Sequence, residues 1–160
     1  MIKPASLRAH LTAANPELQR DPDKLLVFTD EGSVVANATP SLSFEYRYTL
    51  NLIVTDYPGT ADAIIVPLLA WMHVHQHDML GNPDTAKTCI RYEVDFNNHD
   101  SIDLSIKLTL TEAVAVQKQP DGRLNIRHLA EPQRTPDYED VFWSLYDGDS
   151  LLAQWQSPAA

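Results

Sequence analysis

Between Leu42 and Tyr57 the chain keeps strict alternation: Phe44, Tyr46, Tyr48, Leu50, Leu52 and Val54 alternate with Ser43, Glu45, Arg47, Thr49 and Asn51. A period of two over this length predicts a long strand with one face in a core and the other turned to water or a neighbour. The same period returns twice. Ile90, Tyr92, Val94 and Phe96 alternate with Arg91, Glu93 and Asp95, and Ile102, Leu104, Ile106, Leu108 and Leu110 alternate with Asp103, Ser105, Lys107, Thr109 and Thr111. With Asn97, Asn98, His99 and Asp100 as the turn between them, these two runs predict an antiparallel pair.

Helical spacing appears in two places. Leu7 and Leu11 lie four apart within Lys3 to Ala14, with Pro4 near the start and Asn15 and Pro16 at the end, as in a short amphipathic helix. Ala61, Ile64, Ile65, Leu68, Leu69 and Met72 predict a second helix over residues 60–76, with Pro67 either kinking it or standing in the first turn of a helix that starts near Val66. Pro22 marks a break, after which Leu25 to Thr29 and Ser33 to Ala38 flank Asp30, Glu31 and Gly32. That pattern predicts a hairpin in which Gly32 takes positive φ. Gly81 to Thr88 reads as a loop, and Asp121 and Gly122 as a reversal before a short strand from Leu124 to His128.

Pro132 to Pro136 has linker composition. Beyond it, Val141 to Leu145 and Leu151 to Trp155 flank Tyr146, Asp147, Gly148 and Asp149, a terminal hairpin too small to be stable undocked. The sum is an α+β fold: a mostly antiparallel sheet with helices packed on one face and a C-terminal β-hairpin arm. Residues 1–131 form the expected core domain and residues 132–160 the linker and arm.

Composition narrows the function. A chain of 160 residues suits one domain with a single core. The lone Cys89 forms no internal disulfide. No apolar leader or run long enough to span a bilayer is present, which points to a soluble intracellular protein without a membrane partner. Twelve Lys and Arg against 22 Asp and Glu give a net charge of −10, which argues against specific nucleic-acid binding because counterion release needs clustered cations. An acidic wall would still let a phosphate backbone slide past.

Candidate chemistry is sparse. His73, His75 and His77 form a repeat in which His73 and His77 would share one helix face, the basis of an alternative reading as a small metal-binding enzyme. No HExxH glutamate accompanies them, and imidazoles at a helix C-terminus are explained by the dipole, so no metal or other cofactor is assigned. Cys89 lacks a nucleophile signature and fits a structural thiol. Asp30, Glu31, Asp95, Asp100 and Asp103 fall in or near turns, where Asp has a local reason to be. The acidic run from Asp137 to Asp140, followed by Phe142, Trp143 and Tyr146, mixes charge with aromatics as interfaces do. No catalytic residue is identified. The candidate oligomer or tube contacts are Glu45, Arg47, Thr49 and Asn51 on the polar strand face, and Phe142, Trp143, Tyr146 and Trp155 on the hairpin.

Four stretches carry a family likeness: KPASLR from Lys3, SLSFEYRYTLNLIVTDY from Ser41, IVPLLAW from Ile65 and SIDLSIKLTLTE from Ser101. Together with the ending LYDGDSLLAQW they resemble the tail completion protein R family of P2-like contractile-tailed bacteriophages. HVHQHD and the segment Gly81 to Thr88 fall outside these motifs. The resemblance implies a tail-terminator-like α+β subunit and a structural, non-catalytic role. Such a protein would cap the head-proximal end of the tail tube and prepare it for head joining. It would sit in the virion tail after assembly in the bacterial host cytoplasm. The implied partners are further copies of itself in a ring, commonly sixfold, a tail tube or sheath protein, and head-neck proteins, with DNA passing through the lumen. A monomeric head-tail adaptor is the remaining alternative.

Overall fold

The computed structural model describes residues 1–97, 100–132 and 141–158. Helix α1 (Lys3–Ala14) and the short α2 (Pro16–Arg20) lead through a 3₁₀ turn into β1 (Leu25–Ala36) and β2 (Phe44–Tyr57). Helix α3 (Asp62–His75) and the short α4 (His77–Gly81) and α5 (Pro83–Ala86) precede β3 (Ile90–Asn97), β4 (Ser101–Lys118) and β5 (Leu124–His128). The terminal hairpin is β6 (Phe142–Asp147) and β7 (Ser150–Gln156). The main sheet is antiparallel in the order β1-β2-β4-β3, with β5 also paired to β4.

The period-two pattern sets the register. Leu50, Leu52 and Val54 on β2 stand opposite Leu108, Ile106 and Leu104 on β4, and all six are buried. Leu7 and Leu11 of α1, Leu18 of α2 and Ile64, Leu68, Trp71 and Met72 of α3 complete this core from one side of the sheet. A register slip of one residue would move the whole apolar set to the other face. Trp71 is fully buried, and its indole N–H donates to Ser6 Oγ at 3.1 Å, which removes the cost of an unpaired donor.

Helix α3 runs through Pro67 from Asp62, so it does not begin near Val66. Proline cannot donate to the carbonyl four residues back. The carbonyl it leaves is that of Ala63, which Asn15 Nδ2 approaches at 3.5 Å. The same Asn15 caps α2, accepting from Glu17 N and Leu18 N at 3.0 and 3.2 Å, and donates to Tyr57 OH at 2.7 Å. His10 Nε2 donates to Pro67 O at 3.0 Å. Helix α1 and the residue that ends it thus supply the proline turn with polar partners.

The hairpin expected around Asp30 to Gly32 is absent. Leu25 to Asp30 and Ser33 to Ala36 both pair with β2, and Glu31 and Gly32 form a bulge in one continuous strand. Positive φ falls on Glu31, at 50°, and not on Gly32. A second bulge lies on β2, where Asp56 has φ 49° and its N–H donates to Asp103 Oδ1 at 2.8 Å. The extra residue carries Tyr57 onto the core side, where it is buried. The expected loop from Gly81 to Thr88 contains α5 and the end of α4. The reversal at Gly122, φ 87°, and the terminal turn at Gly148, φ 55°, are as the sequence reads. Of the turn after β3, Asn98 and His99 lie outside the described residues, as do most of the linker to Pro136 and the acidic run from Asp137 to Asp140.

Ile106 stands at the centre of the sheet with no exposed surface. Ile106→Ala should lower the unfolding free energy by about 2–5 kcal/mol, read from the shift in urea midpoint at constant slope.

Candidate interaction surfaces

The helices cover one face of the main sheet and leave the other open. On that open face lie the polar residues of β2, although they differ in access. Arg47 is exposed and its Nε meets Glu45 Oε1 at 2.5 Å. Thr49 Oγ1 donates to Glu31 Oε2 at 3.2 Å, and Asn51 Nδ2 approaches Asp30 Oδ2 at 3.4 Å. Asn51 is only 4% exposed, the floor of a hollow of about 270 Å³ with Asp30, Glu31 and Glu93 among its acids and Arg91 and Lys107 as its bases. Arg91 and Lys107 stand directly opposite each other on β3 and β4, as do Asp95 and Asp103. Like charges across a ladder repel, so the face carries a cationic and an anionic row.

The sheet also ends in unsealed edges. β1 exposes Leu26, Phe28, Val34 and Val35, and β3 exposes Tyr92 and Phe96 on the side that elsewhere forms the core. Long apolar edge strands are templates for further pairing unless they are covered.

The hairpin packs on its own helices. Ala153 and Trp155 are buried against Ala14 of α1, with Val66 and Ala70 of α3 and with Trp143 and Leu145 around them. Of the four hairpin candidates, Trp143 and Trp155 therefore turn inward, and Phe142 and Tyr146 turn outward and are exposed. The seam between hairpin and α3 is not filled. A cavity of about 290 Å³ is lined by Val66, Leu69, Ala70 and His73 of α3 and by Trp143 and Trp155 of the hairpin. Trp143 Nε1 donates to Ser157 Oγ at 3.0 Å, whereas the buried Nε1 of Trp155 has no hydrogen-bond partner.

A buried polar knot links the chain's start to the sheet. On the β3 side of β4, no strand among the described residues pairs with the stretch between the β3 and β5 ladders, and side chains take the hydrogen bonds of Thr111. Thr111 N donates to Gln76 Oε1 at 3.0 Å, and Lys3 Nζ donates to Thr111 O at 2.7 Å. Lys3 Nζ also reaches Gln76 Oε1 at 2.9 Å and Glu131 Oε1 at 2.8 Å. Glu112, 2% exposed, accepts from Ile2 N at 2.8 Å and from Lys3 N at 3.3 Å, so its carboxylate faces the positive end of α1. It also accepts from Tyr48 OH, whose pKa is raised by burial and then by this carboxylate. His128 Nδ1 lies 3.3 Å from Glu112 Oε2 but without hydrogen-bond geometry. Sequence reasoning missed this knot. The available signal was Glu112 itself, which continues the inward phase of Ile102 to Leu110.

The histidines do not converge. α3 ends at His75, Gln76 breaks the helix, and His77 opens α4, so His73 and His77 do not share one continuous helix face. His73 is exposed, and His75 stacks on Trp71 with ring centroids 4.6 Å apart. Among the described residues no group of three or more His, Cys, Asp or Glu side chains is placed to hold a metal. The helix dipole does not hold His75 charged. Burial dominates, with the charges of Lys3 and His10 adding to it, and its pKa drops to about 4. Cys89 is buried with its thiol pKa raised by burial, as a structural thiol would be. Asp103 is held below the usual carboxylate range, chiefly by the backbone N–H of Asp56. No helix among the described residues is long and apolar enough to cross a membrane.

Open edges, an outward aromatic pair and a charged sheet face are what this α+β fold leaves exposed. The family model for P2 phage tail completion protein R (GpR) matches residues 1–132. Tail completion protein R of Escherichia phage P2 is 42% identical to this chain over 157 residues, covering 97% of this chain and 99% of the relative. No solved structure matches. The chain belongs to the P2 phage tail completion protein R family, a family of structural tail completion proteins.

Two stability measurements check the site. Glu112→Ala strips the buried Tyr48 hydroxyl and the first α1 amide of their acceptor and should cost at least about 2 kcal/mol, whereas Glu45→Ala on the open face should stay within about 0.5 kcal/mol of the parent in the same urea titration. His75 stays neutral in the fold down to about pH 4, but once unfolded it takes up a proton near its ordinary value of 6.5. Between those limits the unfolded chain binds more protons, so stability falls as pH is lowered. His75→Gln should flatten that slope between pH 6.5 and 4 in a pH series of urea midpoints.

Proposed function

We propose that this protein caps the head-proximal end of the phage tail tube as a sixfold ring and prepares it for head joining. Family membership carries the reading. The sheet's form supports it. With four antiparallel strands in the order β1-β2-β4-β3, the two edges of the path run in opposite directions. Copies related by a ring rotation would then meet edge to edge in an antiparallel ladder. Glu45, Arg47, Thr49 and Asn51 on the open face, and Phe142 and Tyr146 on the hairpin, are the proposed contacts with neighbouring copies and with the tail tube or sheath. Trp143 and Trp155 would act by seating the hairpin from inside.

Closure of the ring would stop tube growth, because the cap docks on a tube through one face and offers head-neck proteins the other. Acidic side chains facing the lumen would let DNA pass without binding, in keeping with the net charge of −10. Assembly in the host cytoplasm and residence in the virion tail complete the proposal.

Deleting the gene from its phage should leave tails of irregular length, or tails that do not join heads, when lysates are imaged by electron microscopy. Normal joined tails from the deletion would reject the function.

A further inference from the structure

Among the described residues β1 and β3 each have one side without a strand, and the two free edges match. On β1 the regular stretch open to a partner is Leu25 to Asp30, because the bulge at Glu31 and Gly32 breaks the edge beyond it. β3 spans Ile90–Asn97, long enough to lie along all of that stretch. Both edges carry apolar side chains on the helix side that the helices do not finish covering. Val27 and Val94 pack at the margin of the core, while Tyr92 is 62% and Phe96 85% exposed. Charge is left over as well. Asp30 and Arg91 are both exposed, and neither makes a salt bridge among the described residues.

Direction and face limit how these edges can meet. Leu26, Phe28 and Asp30 share the open face on β1, and Arg91, Glu93 and Asp95 share it on β3. A continuous antiparallel sheet keeps both sets on one face, so the register moves only in steps of two. Within the chain Arg91 lies level with Phe28, through Lys107 and Asn51. Setting Arg91 against Phe28 of the next copy therefore gives no stagger, leaves Arg91 without a carboxylate opposite and carries Phe96 past the end of β1. Moving further toward Leu26 shortens the overlap. Moving the other way past Asp30 sets Asp30 against Glu93, and like charges opposite each other repel. Arg91 against Asp30 is the register that pairs charge with charge, sets Phe96 opposite Leu25 and staggers each copy on the last, as closing a sheet into a barrel requires.

We propose that β3 of one copy pairs with β1 of the next in this register, Arg91 opposite Asp30 and Phe96 opposite Leu25. The inference rests on the assembly reading above and specifies its joint. On the helix side Tyr92 stands opposite Thr29 and Val94 opposite Val27, pairs of aromatic and β-branched side chains that stabilise a ladder, and the margins of two cores are joined. On the open face Phe28 has Arg91 as a diagonal neighbour, within reach of its guanidinium. The two edges are different parts of the chain, so the contact is heterologous: each copy gives β3 to one neighbour and β1 to the other, which closes a ring when the rotation allows. The bulge after Asp30 ends the ladder, and the Asp30 and Arg91 pair marks that end.

The test uses full-length chain in tails assembled in a phage-producing host. In a Cys89→Ser background, Phe28→Cys is combined with Glu93→Cys and, separately, with Arg91→Cys, and purified tails are oxidised and run on denaturing gels. A disulfide needs Cα atoms about 4.4–6.8 Å apart, which residues directly opposite meet and diagonal ones, about 7–8 Å apart, do not. The pair at positions 28 and 93 should give dimers and higher rungs, and the pair at 28 and 91 monomer. In parallel, Asp30→Arg and Arg91→Asp should each leave the melting temperature unchanged but cut incorporation into tails about tenfold or more, and the two together should restore it. Rungs from the 28 and 91 pair alone, or no rescue by the double charge reversal, would overturn the register. Dimers from Phe28→Cys or Glu93→Cys alone would show an edge paired with its own kind, and a cross-link to a tube protein another occupant; either overturns the joint. Incorporation of both pairs without any cross-link would do the same while leaving the tail role intact. Absence of the parent chain from tails would instead remove the assembly reading, and this joint with it.

Discussion

A strand needs a hydrogen-bonding partner along both sides, and among the described residues β4 has no strand on one side for part of its length. Its β2 side is paired nearly throughout, but its other side passes from the β3 ladder to the β5 ladder across a gap. Helix termini and side chains occupy that gap. Cys89 O takes Thr109 N at 2.9 Å, Gln76 and Lys3 take both backbone groups of Thr111, and Leu129 N returns to Ala113 O at 2.9 Å. Because Gln76 ends α3 and Lys3 begins α1, the backbone demand of one strand fixes where both helices sit. The apolar core supplies most of the stabilisation, but it is not directional. These polar contacts are directional, and they decide the placement.

That arrangement also sets what is left uncovered. Both helices are drawn to one face of the sheet, so the other face and the edges stay exposed. The hairpin lies on the helices' far side, across Ala14 of α1 and Val66 and Ala70 of α3, and adds a second layer whose outward face carries Phe142 and Tyr146. The small polar hollow floored by Asn51 and the apolar cavity beside Trp155 differ in character.

Much of the fold was legible because period-two alternation is hard to produce by any other means: β2, β3 and the greater part of β4 stand where the pattern places them, and so does the terminal hairpin. The bulges were not legible. Asp30-Glu31-Gly32 has the composition of a turn, and only the pairing of both flanking halves with the same β2 strand reveals a kink. Pro67 obscured α3 because the compensation comes from Asn15 and His10, far away in sequence. The knot around Lys3, Gln76 and Glu112 was missed for the same reason, since its contacts join residues from 35 to 128 positions apart. Among the interface candidates, alternation separated the faces of β2 correctly but did not tell which side of the hairpin would land on the helices.

The tie between Pro67 and α1 has a consequence for biosynthesis. His10 and Asn15 clamp the first helix to the third before any residue of β6 or β7 is needed. The platform spanning Ala14, Val66 and Ala70 can therefore form before β6 and β7 have left the ribosome. The tryptophan-bearing ribbon follows it in the chain and lands on a finished floor, so its docking becomes a separate, later event.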